Sequence, residues 1–395
     1  MGTQLSDRIQ RVKPSPTLAV TALAAQLRAE GRDVIGLAAG EPDFDTPDHV
    51  KQAAIQAIND GFTKYTPVDG MPSLKRAIIN KFHQENGLEY TADQILVSCG
   101  GKQSFYNLAQ ALLNPGDEVI IPAPYWVSYP DMVMLADGKP VIVDGDQSQG
   151  FKITAEQLDA AITEKTRLFV INSPSNPSGK AYSREELKAL GEVLDKHPQV
   201  LIATDDMYEH ILWTAEGFNN ILNVCPHLYD RTFVLNGVSK AYAMTGWRIG
   251  YAGGPADVIK AMKKVQSQST SNPTSIAQVA AQAALEGDQS RLKEMNDAFK
   301  KRHDFVHQAL NAIDGISCLP SDGTFYIFPS FQGVMDKMGL DDDVKLGEAM
   351  LEKVEVALVP GSAFGSPGHM RISFATDMAT LEKALERIGN FVAGI

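Results

Sequence analysis

Residues 94–122 read QILVSCGGKQSFYNLAQALLNPGDEVIIP, and their pattern decides the fold. Ile95-Leu96-Val97 and Val119-Ile120-Ile121 are short apolar runs of strand character. Between them Phe105, Leu108, Ala109 and Leu112 recur at i, i+3, i+4 and i+7, one face of a helix, until Asn114-Pro115-Gly116 stops it. Gly100-Gly101 therefore sits at a turn from strand to helix. Strand, helix and strand in succession argue a largely parallel α/β sheet.

Working outward, the same kind of run returns at Leu168-Phe169-Val170-Ile171, Val200-Leu201-Ile202-Ala203, Phe233-Val234-Leu235 and Ile249-Gly250-Tyr251-Ala252. Their near-continuous apolarity suits strands covered on both faces. From about 276 to 310 the chain is rich in Ala, Gln, Glu, Lys and Leu without a proline, which predicts one or two long helices leaving the sheet. Strand signals at 323–328 and 369–374 then predict a second, smaller α+β domain, completed by the N-terminal segment. The expected division is a large domain over 48–295 and a small one from 1–47 with 296–395.

Composition bounds the function. The chain has 395 residues, 44% hydrophobic and 21% charged, which is long enough for two domains of ordinary globular make-up. Its 48 acidic and 36 basic side chains leave a formal charge of −12, a field that repels nucleic acid and anionic membranes. Cys99, Cys225 and Cys318 show no paired or metal-ligand spacing, so a reducing cytoplasm is expected. The opening MGTQLSDRIQRVKPS lacks an apolar signal core, and no run approaches the length of a membrane span. Gly2 and Ser6 match a loose myristoylation pattern that nothing polybasic supports.

In an open parallel sheet, ligands bind beyond the carboxyl ends of the strands. There the sequence places Ser98-Cys99-Gly100-Gly101-Lys102, Pro124-Tyr125-Trp126, Asn172-Ser173-Pro174-Ser175-Asn176-Pro177, Asp205-Asp206-Met207-Tyr208, and Ser239-Lys240 with Arg248. Each group alone has an ordinary reading as a turn, a cap or a surface charge. Together, at the ends of one sheet, they can hold an aromatic, anionic cofactor. No G-x-G-x-x-G follows a strand, Gly179-Lys180 precedes Ala181 where a phosphate loop needs Ser or Thr, and His49, His83 and His210 lack metal-ligand spacing.

These segments resemble the class I, fold-type I aminotransferases that use pyridoxal 5'-phosphate. The resemblance runs through GEPDFDTP at 40–47, YTPVDGMPSLK at 65–75, SCGGKQ at 98–103, PYWVSYP at 124–130, NSPSNPSGK at 172–180, DDMY at 205–208, SKAYAMTGWRIGY at 239–251 and RISFA at 371–375. Within that family it is most similar to the bacterial Iβ-type aspartate aminotransferases, some of which also act on prephenate. The implied fold is a large domain with a mostly parallel seven-stranded sheet and a smaller α+β domain.

The resemblance implies a role for each residue. Lys240 matches the lysine that anchors the cofactor aldehyde and later carries the Cα proton. Asp205 matches the carboxylate facing the ring nitrogen, with the spacing to Tyr208 favouring it over Asp206. Asn176 and Tyr208 match the pair on the cofactor phenolate oxygen, and Trp126 the aromatic stacked on the ring. Gly100, Gly101, Lys102, Ser239 and Arg248 match the phosphate cradle at a helix start. Tyr65 matches a residue reaching the other subunit's phosphate, which implies a homodimer with shared sites. Arg371 matches the grip on the substrate α-carboxylate, with Gly40 beside it. Lys102 matches the lysine that takes a distal carboxylate, the 266–272 stretch having no arginine for that task, and Arg11 is a further contact for a larger substrate such as prephenate.

The implied reaction converts aspartate and 2-oxoglutarate to oxaloacetate and glutamate by a ping-pong route in the cytoplasm, with small amino and 2-oxo dicarboxylic acids as partners and prephenate as an added acceptor. An aromatic- or alanine-type aminotransferase, or a lyase on the same fold, shares Lys240 and Asp205 and stays open. A cofactor-binding regulator without turnover is disfavoured, because no DNA-binding segment is attached. No metal is expected.

Overall fold

The computed structural model describes residues 3–395. Gly2 of the lipidation pattern lies outside the described residues, and Ser6 precedes a short helix, Asp7–Gln10.

Strands are numbered in chain order. The first, β1, is Ile35–Gly36, followed by β2 (Ile95–Ser98), β3 (Glu118–Ala123), β4 (Lys139–Asp144) and β5 (Thr166–Asn172). Then come β6 (Leu201–Asp205), β7 (Thr232–Gly237) and β8 (Gly250–Gly253). The C-terminal part holds β9 (Tyr326–Ile327), β10 (Val356–Ala357), β11 (Val359–Pro360) and β12 (Met370–Ser373). β2 to β8 form one seven-stranded sheet in the order β2-β8-β7-β6-β5-β3-β4. Only β8 runs against its neighbours. A parallel return needs a crossover element, and the connection 238–249 has no α-helix, only the 3₁₀ turn Thr245–Trp247, so β8 folds back beside β7.

The strand runs bury both faces by alternation. Ile95, Val97, Ile120, Phe169, Ile171, Ile202 and Val234 face one layer, with Val50, Ile78, Leu190 and Ala280 from helices. Their neighbours Leu96, Val119, Ile121, Leu168, Val170, Ala203, Phe233 and Leu235 face the other, against Phe105, Leu108, Val133 and Met262. Continuous apolarity in the sequence is this two-sided burial.

A third cluster joins Ile35 and Leu37 to Phe299, Val306, Phe325, Leu346, Ile372, Leu381 and Ile388. The N-terminal segment thus packs with the C-terminal part, and β1 pairs in parallel with β10. β9, β11 and β12 form a small antiparallel sheet in the order β11-β12-β9. Tyr208 and Ile211, from the loop after β6, also belong to this cluster.

Several boundaries differ from expectation. The strands read from Val200 and Ile249 begin one residue later, and the run at 323–328 keeps strand geometry only over Tyr326–Ile327. The helical stretch divides into Ser275–Glu286 and Ser290–Asn311. β4 was not among the apolar runs, because it is an edge strand that starts Lys-Pro and leaves Ile142 exposed.

Candidate active site

The carboxyl ends of β5, β6 and β7 open on a cavity of about 410 Å³, closed from the other side by β12 and by residues of the N-terminal segment. Asn172 ends β5 opposite Asp205, which ends β6. Asn172 Nδ2 donates to the Asp205 carbonyl at 3.0 Å, and its Oδ1 accepts from the Asn176 N–H at 2.9 Å. The NSPSNP turn is thereby fastened to the neighbouring strand end.

The two adjacent aspartates part ways. Asp205 lines the cavity. Its Oδ2 accepts from Tyr129 Oη at 2.5 Å and its Oδ1 from the Met207 N–H at 3.3 Å. Burial raises its pKa, while the Tyr129 bond and the charge of Lys240 act the other way. Asp206 is fully buried and turned elsewhere, accepting from Thr204 Oγ1 at 2.6 Å and from Asn220 Nδ2. Burial, then the charge of Glu209, pushes it up to about 8.

Lys240 is half-buried, and its amine donates to the Gly40 carbonyl at 2.5 Å. Desolvation, followed by repulsion from Arg371 and Arg248, lowers it to about 8. A proton is therefore easily surrendered at neutral to mildly basic pH.

Arg371, on β12, is buried. It donates to Asn176 Oδ1 at 3.0 Å and to the Ala38 carbonyl at 2.7 Å, while its Nε has no partner. Its guanidinium lies 4.4 Å from the centroid of Tyr326 and 5.0 Å from that of Phe364. An unpaired buried N–H on a charged fork is costly unless an acceptor arrives. Tyr208 donates to Tyr326 Oη at 3.1 Å.

At the other strand end, Gly100 has φ 88°, and a Cβ there would meet the Arg248 guanidinium at 2.3 Å. Glycine is what lets that arginine approach the turn. No side chain caps the helix Gly101–Leu112, so its first N–H groups stay open beside Arg248. Ser239, Gly101, Lys102 and Trp126 line the same cavity. The Lys102 ammonium lies 5.1 Å from the Trp126 ring centroid and, among the described residues, has no hydrogen-bond or ion-pair partner.

Among the predicted residues, Gly100 stands just behind the cavity lining, and Tyr65 and Arg11 lie outside it. Tyr65 is 92% exposed and does not line the chain's own cavity. Arg11 is engaged by Asp137 at 2.5 Å, together with Arg8 at 2.7 Å, in a surface ion pair outside the cavity lining. The neighbouring Ser15, Thr17 and Leu18 do line the cavity, and Thr17 Oγ1 is buried without a partner.

Sequence reasoning missed Tyr129, Tyr326 and Glu41. Tyr129 stands three residues after Trp126 in PYWVSYP, one helical turn away, which was the available signal. Glu41 lines the cavity and accepts from Thr245 Oγ1 at 2.9 Å. Tyr326 carries no local mark, because its partners Tyr208 and Arg371 come from distant segments.

Comparison with known proteins places the whole chain in a family. The profile of the family "Aminotransferase class I and II" matches residues 32–388. The chain is 61% identical to the aspartate/prephenate aminotransferase of Nitrosomonas europaea, over 99% of this chain and 100% of the relative. It is 56% identical to that of Cereibacter sphaeroides, over 99% of each. Among solved structures, the aspartate aminotransferase of Rhizobium meliloti superposes with a TM-score of 0.95 at 52% identity, covering 99% of both chains. That of Thermus thermophilus, crystallised with maleate, superposes at 0.93 with 43% identity over 98% of this chain and 100% of its own. With a family profile spanning most of its length and full-length relatives above half identity, the chain belongs to the class I and II aminotransferases, a family dependent on pyridoxal 5'-phosphate.

Proposed function

We propose that the chain is an aspartate aminotransferase that passes the amino group of aspartate to 2-oxoglutarate, and that prephenate is a second amino-group acceptor. The observation that carries the reading is a single cavity lined by a lysine amine lowered to about 8, by Arg371 and by the unpartnered Lys102. Two cations suit a substrate with two carboxylates, and the amine suits proton removal from the Cα that lies between them.

The residues present fit pyridoxal 5'-phosphate. The open helix start with Arg248 and Ser239 would hold the phosphate, Trp126 would stack on the ring, and Asp205 would face the ring nitrogen. Lys240 would anchor the aldehyde. When bound, the cofactor supplies an electron sink for negative charge developing at the substrate Cα.

The chain's own groups do the rest. Arg371, with one N–H still free, receives the α-carboxylate and orients the Cα–H bond. The Lys240 amine takes the proton from the donor Cα in the first half-reaction and gives a proton to the acceptor Cα in the second. Tyr208 and Asn176 offer hydrogen bonds near Asp205 and Arg371, and Lys102 binds the distal carboxylate.

Tyr65 and the apolar side chains Ile55, Ile58 and Phe62, all exposed in one short stretch on and just after the helix Asp48–Asn59, support a homodimer. The three clusters support a division into 48–295 and 1–47 with 296–395. No helix of the described residues is long and apolar enough to cross a membrane, and the three cysteines are free. A cytoplasmic site of action is proposed on the latter ground.

The test is a half-reaction monitored by cofactor absorbance. Aspartate and glutamate should convert the bound cofactor, 2-oxoglutarate and prephenate should restore it, and alanine and phenylalanine should react far more slowly. Failure of 2-oxoglutarate to restore the starting spectrum would favour the lyase reading instead.

A further inference from the structure

The loop after β6 carries a second polar cluster beside the one in the cavity. Glu209, next to Tyr208, is 7% exposed, and its carboxylate accepts from three donors. They are Lys81 Nζ, Asn86 Nδ2 at 2.7 Å and Asn236 Nδ2 at 2.7 Å. Lys81 and Asn86 belong to the helix Pro72–Asn86, and Asn236 belongs to β7. Lys81 Nζ donates in turn to Asn86 Oδ1 at 2.8 Å.

The cluster has the spacing of a cation site, since Glu85, Glu209 and His210 bring ligand atoms within 4.8 Å of one another. The cation is already present. Lys81 Nζ pairs with Glu209 and lies 3.6 Å from Glu85, and His210 Nε2 is taken by Glu85 at 2.8 Å.

A buried ion pair of this kind is a poor device for stability, because an apolar pair of the same volume is often as stable. What it does supply is geometry. Glu209 is linked to β7 at Asn236, whose Oδ1 accepts from the Gly237 N–H at 2.7 Å, and Gly237 leads through Val238 and Ser239 to Lys240. On its own loop Glu209 follows Asp205 and Tyr208.

We infer that Glu209 is a positioning residue, which through Lys81, Asn86 and Asn236 sets the loop of Asp205 and Tyr208 against β7, the strand that leads into Lys240. It touches neither substrate nor cofactor and acts through those three groups. The inference rests on the transaminase reading for what is being positioned.

Two variants of the full-length holoenzyme test it. Glu209→Gln removes the charge and leaves the buried Lys81 with Glu85, at 3.6 Å, as its remaining counter-ion, so its melting temperature is expected to fall. The pair Lys81→Met with Glu209→Leu removes the charges together, and with them the shared acceptor of Asn86 and Asn236. The pair is expected to stay folded with full cofactor, yet to lose about ten- to a hundredfold in kcat with KM changed less. The pH midpoint of its cofactor absorbance should also move, a shift that loss of stability alone does not produce. Wild-type kcat and midpoint in the folded pair would overturn the inference, and so would loss of folding in both variants, which assigns the cluster to stability. Absence of the aspartate half-reaction in the wild-type chain would instead overturn the functional reading.

Discussion

Tyr129 Oη donates a 2.5 Å hydrogen bond to Asp205 Oδ2, and the Tyr129 ring stands edge-on to Trp126 with centroids 5.1 Å apart and planes at 89°. The aromatic proposed to stack on the cofactor and the carboxylate proposed to face its nitrogen are thereby fixed by one fully buried side chain. A carboxylate that accepts such a bond is favoured in its ionised form against the desolvation that raises its pKa.

Tyr129→Phe keeps the ring packing and deletes that donor. Losing one charge-assisted bond should lower kcat/KM by about ten- to a hundredfold, corresponding to roughly 1.5–3 kcal/mol. Aspartate steady-state kinetics check this, with the melting temperature as a control. Unchanged kinetics would show that the Met207 N–H alone suffices to hold Asp205.

Asp205→Asn should fold, bind cofactor and lose several orders of magnitude in rate, since a neutral amide does not keep the ring nitrogen protonated. Asp206→Asn should be far milder, because its carboxylate meets only Thr204 and Asn220. Single-turnover rates of the two variants decide the matter, and a reversed order would mean that the wrong aspartate had been assigned.

Lys240 gives a stability prediction for the cofactor-free chain. Its amine titrates near 8 when folded and near the ordinary 10.5 when unfolded. Between those values the unfolded chain binds the extra proton, so stability rises with pH, and the penalty is fully present below pH 8. Lys240→Met should therefore be more stable than wild type at pH 7, by about 2 kcal/mol once partial solvent access is discounted, and the difference should vanish above pH 10.5. Denaturant unfolding across that range measures it. The same variant should show no transamination and no reducible link to the cofactor.

Lys102→Ala should cost about ten- to a hundredfold in kcat/KM for aspartate while sparing alanine, as expected when one charge-assisted pair to a distal carboxylate is lost. An equal fall for both substrates would make Lys102 a phosphate-side residue only. Arg11→Ala should leave aspartate turnover unchanged and loosen the N-terminal helix from Asp137, visible as faster proteolysis of that segment.

The central sheet was legible from short-range pattern, because strands buried on both faces must be apolar at successive positions, and helices between them must repeat every three to four. That logic recovered Ile95 to Val97 and Phe233 to Leu235, and it failed at β4, where an edge needs only partial burial. Lys240, Asp205 and Asn176 became candidates because they lie at or just beyond strand ends, where an α/β sheet leaves its ligand crevice, and the family resemblance gave them their roles. The spacing to Tyr208 favoured Asp205 over Asp206, but the reason the two part ways became visible only with Tyr129, Thr204 and Asn220 in place around them. The same holds for Tyr326 beneath Arg371, for Arg11 on Asp137, and for the Glu209 cluster. Each depends on side chains from remote segments meeting in three dimensions, and local periodicity carries no record of which distant partner a polar group will find.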